Sequence, residues 1–393
     1  MATRPRLAAI TTEYRTNSHS DVILSRWFEP LPTDREVGWP AAGHDKPRTE
    51  IASLFLHQTP ENDTGRTHAA KHGVPVYETI REALTLGGDT LAVDGVLLIG
   101  EHGKYPWNEY FQHLYPRREL FDEIVAVFRE TGRSVPVFND KHLSYDLDSA
   151  MHMVATAREL DFPLMAGSSI PLRDKLEHLG IEDGAELAEG MGLFAGGAES
   201  YGYHSIELLQ SLIARRKGGE SGIKSVTAYY GDSFWEAEAA DKWSTDLIEA
   251  GFLVSRSAKK GHYRDNLTPP KPNATGPHLV PAAYCFEHSD GLKSSHLLLD
   301  GHHTDFIAVI READGSVHSS GGRGSGGGAG MFFRNFAVFN SYIEEFMLTG
   351  KSPFPLDHYL LSTLAIRAAV RALATPGQRI ETPELQIPYI IQS

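Results

Sequence analysis

The sequence predicts a mixed α/β chain, a parallel sheet clothed by helices followed by a mostly antiparallel open sheet. Three observations predict it. Up to residue 167, short apolar runs alternate with helical patterns. Beyond that point, alternating apolar segments follow one another with fewer helices between them. The 393 residues also exceed the roughly 250–300 at which single cores split, so two domains are expected, 1–167 and 168–393.

In the first part, apolar runs bounded by polar or turn residues read as strands at Leu7–Ile10, Ile51–Leu56, Val93–Ile99, Val135–Phe138 and Pro163–Ala166. Leu120, Phe121, Ile124, Val125 and Phe128 fall at helical spacing, as do Leu147, Ala150, Met151, Val154 and Ala157. Ser144 is the expected cap of the second helix. This alternation implies a parallel sheet covered on both faces, with ligands beyond the carboxyl ends of its strands. In the second part, a helix is expected over Tyr201–Arg215 and strands at Ile223–Tyr230, Ala282–Glu287, His296–Asp300 and Asp305–Ile310. They suggest an antiparallel sheet open on one face, a surface suited to a homodimer or homotetramer. Gly261–Pro281 reads as a long loop. Ser319–Gly330 reads as a flexible loop, with a substrate lid as the alternative; it lacks the Gly-Lys-Ser/Thr ending of a phosphate loop. A helix over Leu356–Leu373 and a strand over Leu385–Tyr389 close the chain.

Composition narrows the function. With 37 Lys+Arg against 51 Asp+Glu, the net charge is −14, and no basic run marks nucleic acid or an anionic membrane as partner. No apolar stretch has membrane-spanning length, and the start MATRPRLAAITTE has no apolar signal core. The single Cys285 excludes an internal disulfide framework and a cysteine-cluster zinc site, which fits a cytoplasmic location. The 19 histidines invite a metal or acid–base reading only if some of them converge.

Five stretches, in order, carry a resemblance. They are TGRTHAAKHGVPVYETIREA from Thr64, VDGVLLIGEHG, RSVPVFNDKHLSYDLDSAMHMVATARELDFPLMAGSS, GGAESYGYHSIELL and RIETPELQIPY. Together they resemble the Gfo/Idh/MocA family of sugar and cyclitol oxidoreductases. The resemblance implies a Rossmann-like domain joined to a larger, open sheet domain. It also implies a small carbohydrate-like substrate and a dimeric or tetrameric assembly. Lys141 aligns with the lysine of the family's Glu-Lys-Pro motif, which contacts the substrate hydroxyl and the nicotinamide ribose. His204 aligns with the family's catalytic histidine.

The cofactor landmarks depart from the family pattern. Where Ile-Gly-x-Gly-x-x-Gly-x-x-His is usual, this chain has Ile10-Thr11-Thr12-Glu13-Tyr14-Arg15-Thr16-Asn17-Ser18-His19. The lost glycines allow a tight turn and close approach to pyrophosphate. Glu13 adds an anion there, and like charges at about 4 Å repel by about 1–4 kcal/mol. His57 stands where an acidic residue would hold the ribose hydroxyls. These departures disfavour NAD(P). If a dinucleotide does bind, Thr12, Glu13 and Arg15 are its expected contacts. Ser200 replaces the family's Asp before the catalytic histidine, His142 replaces the Pro of Glu-Lys-Pro, and Glu101-His102 replaces Thr-Pro.

Glu13, His19, Glu101, His102, Asp140 and His142 thus gather where a parallel sheet binds ligands. Such a set can serve acid–base chemistry or hold a divalent metal, with Glu13, His19, Glu101, His102 and His142 as ligands. Plainer readings stand beside these: His19 as a cap, Glu101 and His102 as a solvated turn, Lys141 and Asp140 as a structural pair, His204 as a core histidine. His302 and His303 alternate across a strand and cannot readily share an ion. His68, His72 and His113 read as solvated, and Tyr105, Trp107, Tyr201 and Tyr203 as packing or sugar-stacking rings.

The expected function is therefore an enzyme on a sugar, cyclitol or related polyhydroxy or keto compound, of lyase, isomerase or hydrolase type. It would work without NAD(P), with or without a metal. Lys141, His204, His142 and His102 would be catalytic, and Glu101, Lys104, Asp140, Ser200 and Tyr203 would contact substrate. The alternatives are an NAD(P)-dependent oxidoreductase in which Arg15 carries the pyrophosphate, and a non-catalytic carbohydrate-binding protein.

Overall fold

The computed structural model describes residues 4–172, 180–268, 279–322 and 334–391. They pack as two compact units, neither continuous in sequence. The first takes residues up to 105, 115–169 and the stretch up to Leu356 that holds a returning helix; the second takes 106–114, the long segment after 170 and the end of the chain. A single cut after residue 167 makes no provision for that return.

In the first unit the order is β1 Arg6–Thr11, α1 His19–Phe28, α2 Pro32–Glu36, β2 Glu50–Leu56, α3 Gly65–His72, β3 Val76–Tyr77, α4 Ile80–Thr85, β4 Gly95–Ile99, α5 Arg117–Thr131, β5 Val137–Asn139, α6 Leu147–Glu159 and β6 Leu164–Met165. The six strands are parallel, in the order β3-β2-β1-β4-β5-β6, the doubly wound arrangement whose ligand crevice lies at the carboxyl ends of β1 and β4. β1 and β4 are buried almost throughout, because helices cover both faces of the sheet. Asp146, not Ser144, caps α6 by accepting from Ser149 N–H.

The second unit contains β7 Leu187–Phe194, α7 Ser200–Ile213, β8 Ile223–Tyr230, α8 Asp232–Ala239, α9 Thr245–Val254, β9 Ala282–His288, β10 Lys293–Leu298, β11 Phe306–Glu312 and β12 Val317–Gly322. α10 Arg334–Thr349 returns to the first unit. There its Met347 sulfur packs where Gly95 has no Cβ, and its Glu344 accepts from Trp39 Nε1 and Thr49 N–H. α11 Leu356–Ala372 and β13 Ile380–Glu381 complete the second unit.

Its sheet runs β12-β11-β7-β10-β9-β8-β13, antiparallel except for β7 with β10, and open at both edges. Gly190 and Gly192 of β7 let α7 approach closely: a Cβ on Gly192 would meet Ser205 Oγ at 2.4 Å. The opposite face was expected to stand bare. Instead Phe234 of α8 and Leu247 and Ile248 of α9, with Trp243 between them, pack on Met191, Leu193, Ile307 and Val309. A homodimer or homotetramer using this face would meet helices rather than bare strands.

Other expectations are corrected locally. Ser319–Gly322 continues β12 as a paired strand, and only 323–330 of the proposed loop lie outside the described residues. Within Gly261–Pro281, Tyr263–Asn266 forms a short 3-10 turn, and 269–278 lie outside the described residues. Leu385–Tyr389 is not a strand; it keeps one isolated bridge, Glu220 with Tyr389. No helix among the described residues is long and apolar enough to cross a membrane.

Candidate functional site

In the first unit, the carboxyl ends of β1, β4 and β5 bring six of the predicted residues together. Glu101 follows β4 and is buried. One carboxylate oxygen, Oε1, lies 2.9 Å from Lys141 Nζ, and the other, Oε2, lies 2.5 Å from Arg117 Nη2. Burial on its own would push the Glu101 carboxyl up, but the Lys141 and Arg117 charges carry it well below the usual carboxylate range. Lys141 therefore pairs with Glu101 and not with its chain neighbour Asp140. Asp140 pairs instead with His19, Oδ2 to Nδ1 at 2.6 Å. Nor is the Glu101 turn solvated. Ser18, not His19, caps α1, accepting from Asp21 N–H.

His102 Nδ1 accepts the amide of His19, and burial together with the nearby His19 lowers the His102 pKa to about 3. His142 is likewise held well below its ordinary value, by burial and then by Arg117. Both rings are neutral at neutral pH. Three residues here occupy the left-handed region, Asn17 at φ 64, His102 at φ 70 and Lys141 at φ 63. That conformation costs about 1–2 kcal/mol for a side chain other than glycine, and such strain clusters at functional sites. Lys141 is held in it by paired backbone hydrogen bonds with Gly167, at 3.0 and 2.9 Å.

The loop between β1 and α1 reads differently in three dimensions. Glu13 is buried, and its Oε1 lies 2.6 Å from Arg15 Nε, so the anion expected to repel pyrophosphate carries its own counter-charge. Thr12 Oγ1 donates to Glu101 O at 2.9 Å and ties this loop to the end of β4. Lys104 is exposed, its backbone held by Gln58.

Sequence reasoning missed Arg117. It is fully buried beneath Gly100, where a Cβ would meet Arg117 Cγ at 2.7 Å. A signal existed: Arg117 opens α5, where the helix dipole disfavours a cation unless a carboxylate elsewhere holds it.

In the second unit, α7 carries Ser200, Tyr203 and His204 in its first two turns. His204 is buried, its ring edge-on to Phe306 at 5.3 Å, and Tyr203 is fully buried. Glu199, just before α7, accepts from His113 N–H at 2.8 Å and is a carboxylate beside the position where Ser200 replaces the family's Asp. Lys141 and His204 lie on different units.

Several other histidines and rings lie against one another in ring contacts. His113 is buried and stacks on Trp107 at 4.3 Å, so it is not solvated. His68 stacks on Tyr14 and His72 on Phe28. Tyr105 stacks on His57, and Tyr201 on Phe306. Among the described residues, no group of three or more His, Cys, Asp and Glu converges as a metal-ion site. Of the five candidate ligands, Glu13 is engaged by Arg15, Glu101 by Lys141 and Arg117, and His19 by Asp140.

No family model and no curated protein matches the sequence. Solved structures do match in fold. Scyllo-inositol dehydrogenase from Lactobacillus casei, with bound NAD(H) and scyllo-inositol, aligns at 11% identity and a TM-score of 0.58 over 96% of this chain and 99% of its own. GenD2 from gentamicin A biosynthesis, in complex with NAD, aligns at 14% and 0.56 over 97% of each chain. A putative myo-inositol dehydrogenase from Sinorhizobium meliloti 1021 aligns at 12% and 0.55 over 96% and 99%. The two-domain fold implied by the Gfo/Idh/MocA resemblance is thus the fold observed.

These neighbours overturn two expectations. The reading as a lyase, isomerase or hydrolase, and the disfavouring of NAD(P), rested on the lost glycines and on Glu13 as a bare anion. Of these three proteins, two are named as inositol dehydrogenases, and two, GenD2 and the scyllo-inositol dehydrogenase, were crystallised with NAD or NAD(H). Glu13 is neutralised by Arg15.

Proposed function

We propose that the chain is an NAD(P)-dependent oxidoreductase acting on a sugar, a cyclitol or a related polyhydroxy compound. The observation that carries this reading is Lys141, a buried ammonium held by Glu101 at the carboxyl end of a doubly wound sheet. The full-length likeness in fold to an NAD(H)-bound scyllo-inositol dehydrogenase and to NAD-bound GenD2 supports it.

The loop after β1 fits a dinucleotide by charge rather than by a cradle of amides. Asn17 N–H already donates to Asp21, Asp21 N–H to Ser18, and His19 N–H to His102. Arg15 is one-third exposed, and its guanidinium can pair with a phosphate. Glu13 holds that guanidinium, and Thr12 ties the loop to the end of β4.

A bound nicotinamide supplies the hydride acceptor. The chain supplies the rest: the Lys141 ammonium donates a hydrogen bond to the reacting oxygen and stabilises the negative charge developing on it, and Glu101 with Arg117 orients Lys141. His102 and His142, kept neutral, line this edge without adding charge, and Asp140 fixes His19. Taken by itself, the second unit offers His204 as a proposed proton acceptor and Ser200 as a proposed substrate contact, with Tyr203 buried behind them as packing; on the first unit Lys104 is a proposed substrate contact.

Calorimetric titration of the purified chain with oxidised and reduced dinucleotides tests this reading. Saturable micromolar binding is expected, weakened at least about tenfold (~1.4 kcal/mol) by Arg15→Ala. Binding that Arg15→Ala leaves unchanged contradicts the role given to Arg15.

A further inference from the structure

We propose that the dinucleotide this chain selects carries a 2′-phosphate, so that NADP(H) binds in preference to NAD(H), with His57 and Arg15 as the selecting residues. The proposal rests on the oxidoreductase reading above. In a doubly wound sheet the adenosine ribose lies beyond the second strand. A carboxylate there accepts from both ribose hydroxyls and repels a phosphate, whereas a cation nearby accommodates the phosphate.

Here β2 ends at Leu56, and the next residues are His57 and Gln58. His57 is exposed, and its Nδ1 lies 2.7 Å from Tyr105 Oη, with the two rings stacked at 5.9 Å. Burial raises the Tyr105 phenol above its ordinary value, so it stays protonated and can donate to Nδ1. With Tyr105 donating to Nδ1, the ring proton sits on Nε2, an N–H donor for an anion. Gln58 holds the next segment in place: its Oε1 accepts from Lys104 N–H at 2.8 Å and its Nε2 donates to Lys104 O at 3.2 Å. The adjacent Lys104 side chain is exposed. The Arg15 backbone forms an isolated bridge with Asp63 in the loop that follows β2, and its partly exposed guanidinium is held by Glu13, whose charge acts on Tyr105.

The carboxylates of this rim are largely committed. Glu13 is buried against Arg15, and Asp63 accepts from Arg66 N–H at the start of α3. Glu61 is the exposed one, four residues beyond His57. Arg15, Lys104 and the His57 N–H donor therefore favour a dianionic phosphate over a pair of hydroxyls.

Equilibrium titration by calorimetry, with NADPH, NADH, 2′,5′-ADP and 5′-ADP as probes, tests the proposal without any turnover. NADPH is expected to bind at least about tenfold more tightly than NADH (~1.4 kcal/mol), and 2′,5′-ADP to bind more tightly than 5′-ADP. His57→Asp, at an exposed position, should bring the two affinities together or reverse them, with an unchanged melting midpoint. NADH binding as tightly as NADPH to the wild-type chain overturns the proposal and leaves the oxidoreductase reading standing. Binding of neither dinucleotide overturns both.

Discussion

Replacing Lys141 with Met is expected to lower kcat by roughly two to three orders of magnitude, the usual loss when a positioned donor to a developing negative charge is removed. Dinucleotide affinity should change by no more than about tenfold, since the phosphate loop is untouched. The reason lies in the geometry of Glu101. Its two oxygens are shared between Lys141 and Arg117, so removing Lys141 still leaves the buried carboxylate one cation. Lys141→Arg should not rescue turnover, because the planar guanidinium cannot replace a compact ammonium in that slot. Steady-state kinetics beside calorimetric titration separate the two effects. A variant that turns over normally places the chemistry elsewhere.

Acidification is the second large effect. Burial lowers the pKa of His102, His296 and His358 to about 3, and that of His303 to about 4. Each ring is neutral in the folded chain and takes a proton near pH 6.5 once unfolded. Between pH 6.5 and about 4 the unfolded state therefore binds more protons, and stability falls as pH falls, by about 1.4 kcal/mol per pH unit per group. Below about pH 4.5 two carboxylates act in the same direction. Glu101 and Glu220 are both lowered in the fold despite burial, Glu220 by His288 and Arg216, so the stability they contribute is lost as they protonate. The melting midpoint at pH 4.5 should lie at least about ten degrees below that at pH 7.5. His296→Gln should flatten part of the slope. A midpoint that does not move between these pH values contradicts the neutral, buried state of these rings.

The parallel sheet was legible wherever a strand was both apolar and long enough. β1, β2, β4, β5 and β6 lie within the runs read as strands or extend beyond them by one residue, because both faces of the sheet are buried. β3 was not legible: two half-buried residues leave no pattern. β7 was hidden by its own glycines, which read against a strand but exist to admit α7. The return of α10 to the first unit is a long-range contact that no local pattern encodes.

The site divides the same way. The gathering of Lys141, Glu101, His102 and Asp140 at one sheet edge was legible through motif position. Their pairing was not. Sequence adjacency suggested Lys141 with Asp140, whereas Lys141 reaches across to β4 and Asp140 to α1. Glu13 read as a free anion because its counter-ion, two residues away, declares itself only in three dimensions. That single pairing removed the main electrostatic argument against a dinucleotide.

The most direct measurement is hydride transfer itself, followed by the near-ultraviolet absorbance of reduced nicotinamide with NADP or NAD and a panel of cyclitols and sugars. The account predicts enzyme-dependent reduction with at least one polyhydroxy substrate, faster with NADP and slowed at least about a hundredfold by Lys141→Met. A wild-type chain that reduces neither dinucleotide with any of these substrates, and does not oxidise reduced dinucleotide with the corresponding keto compounds, contradicts it.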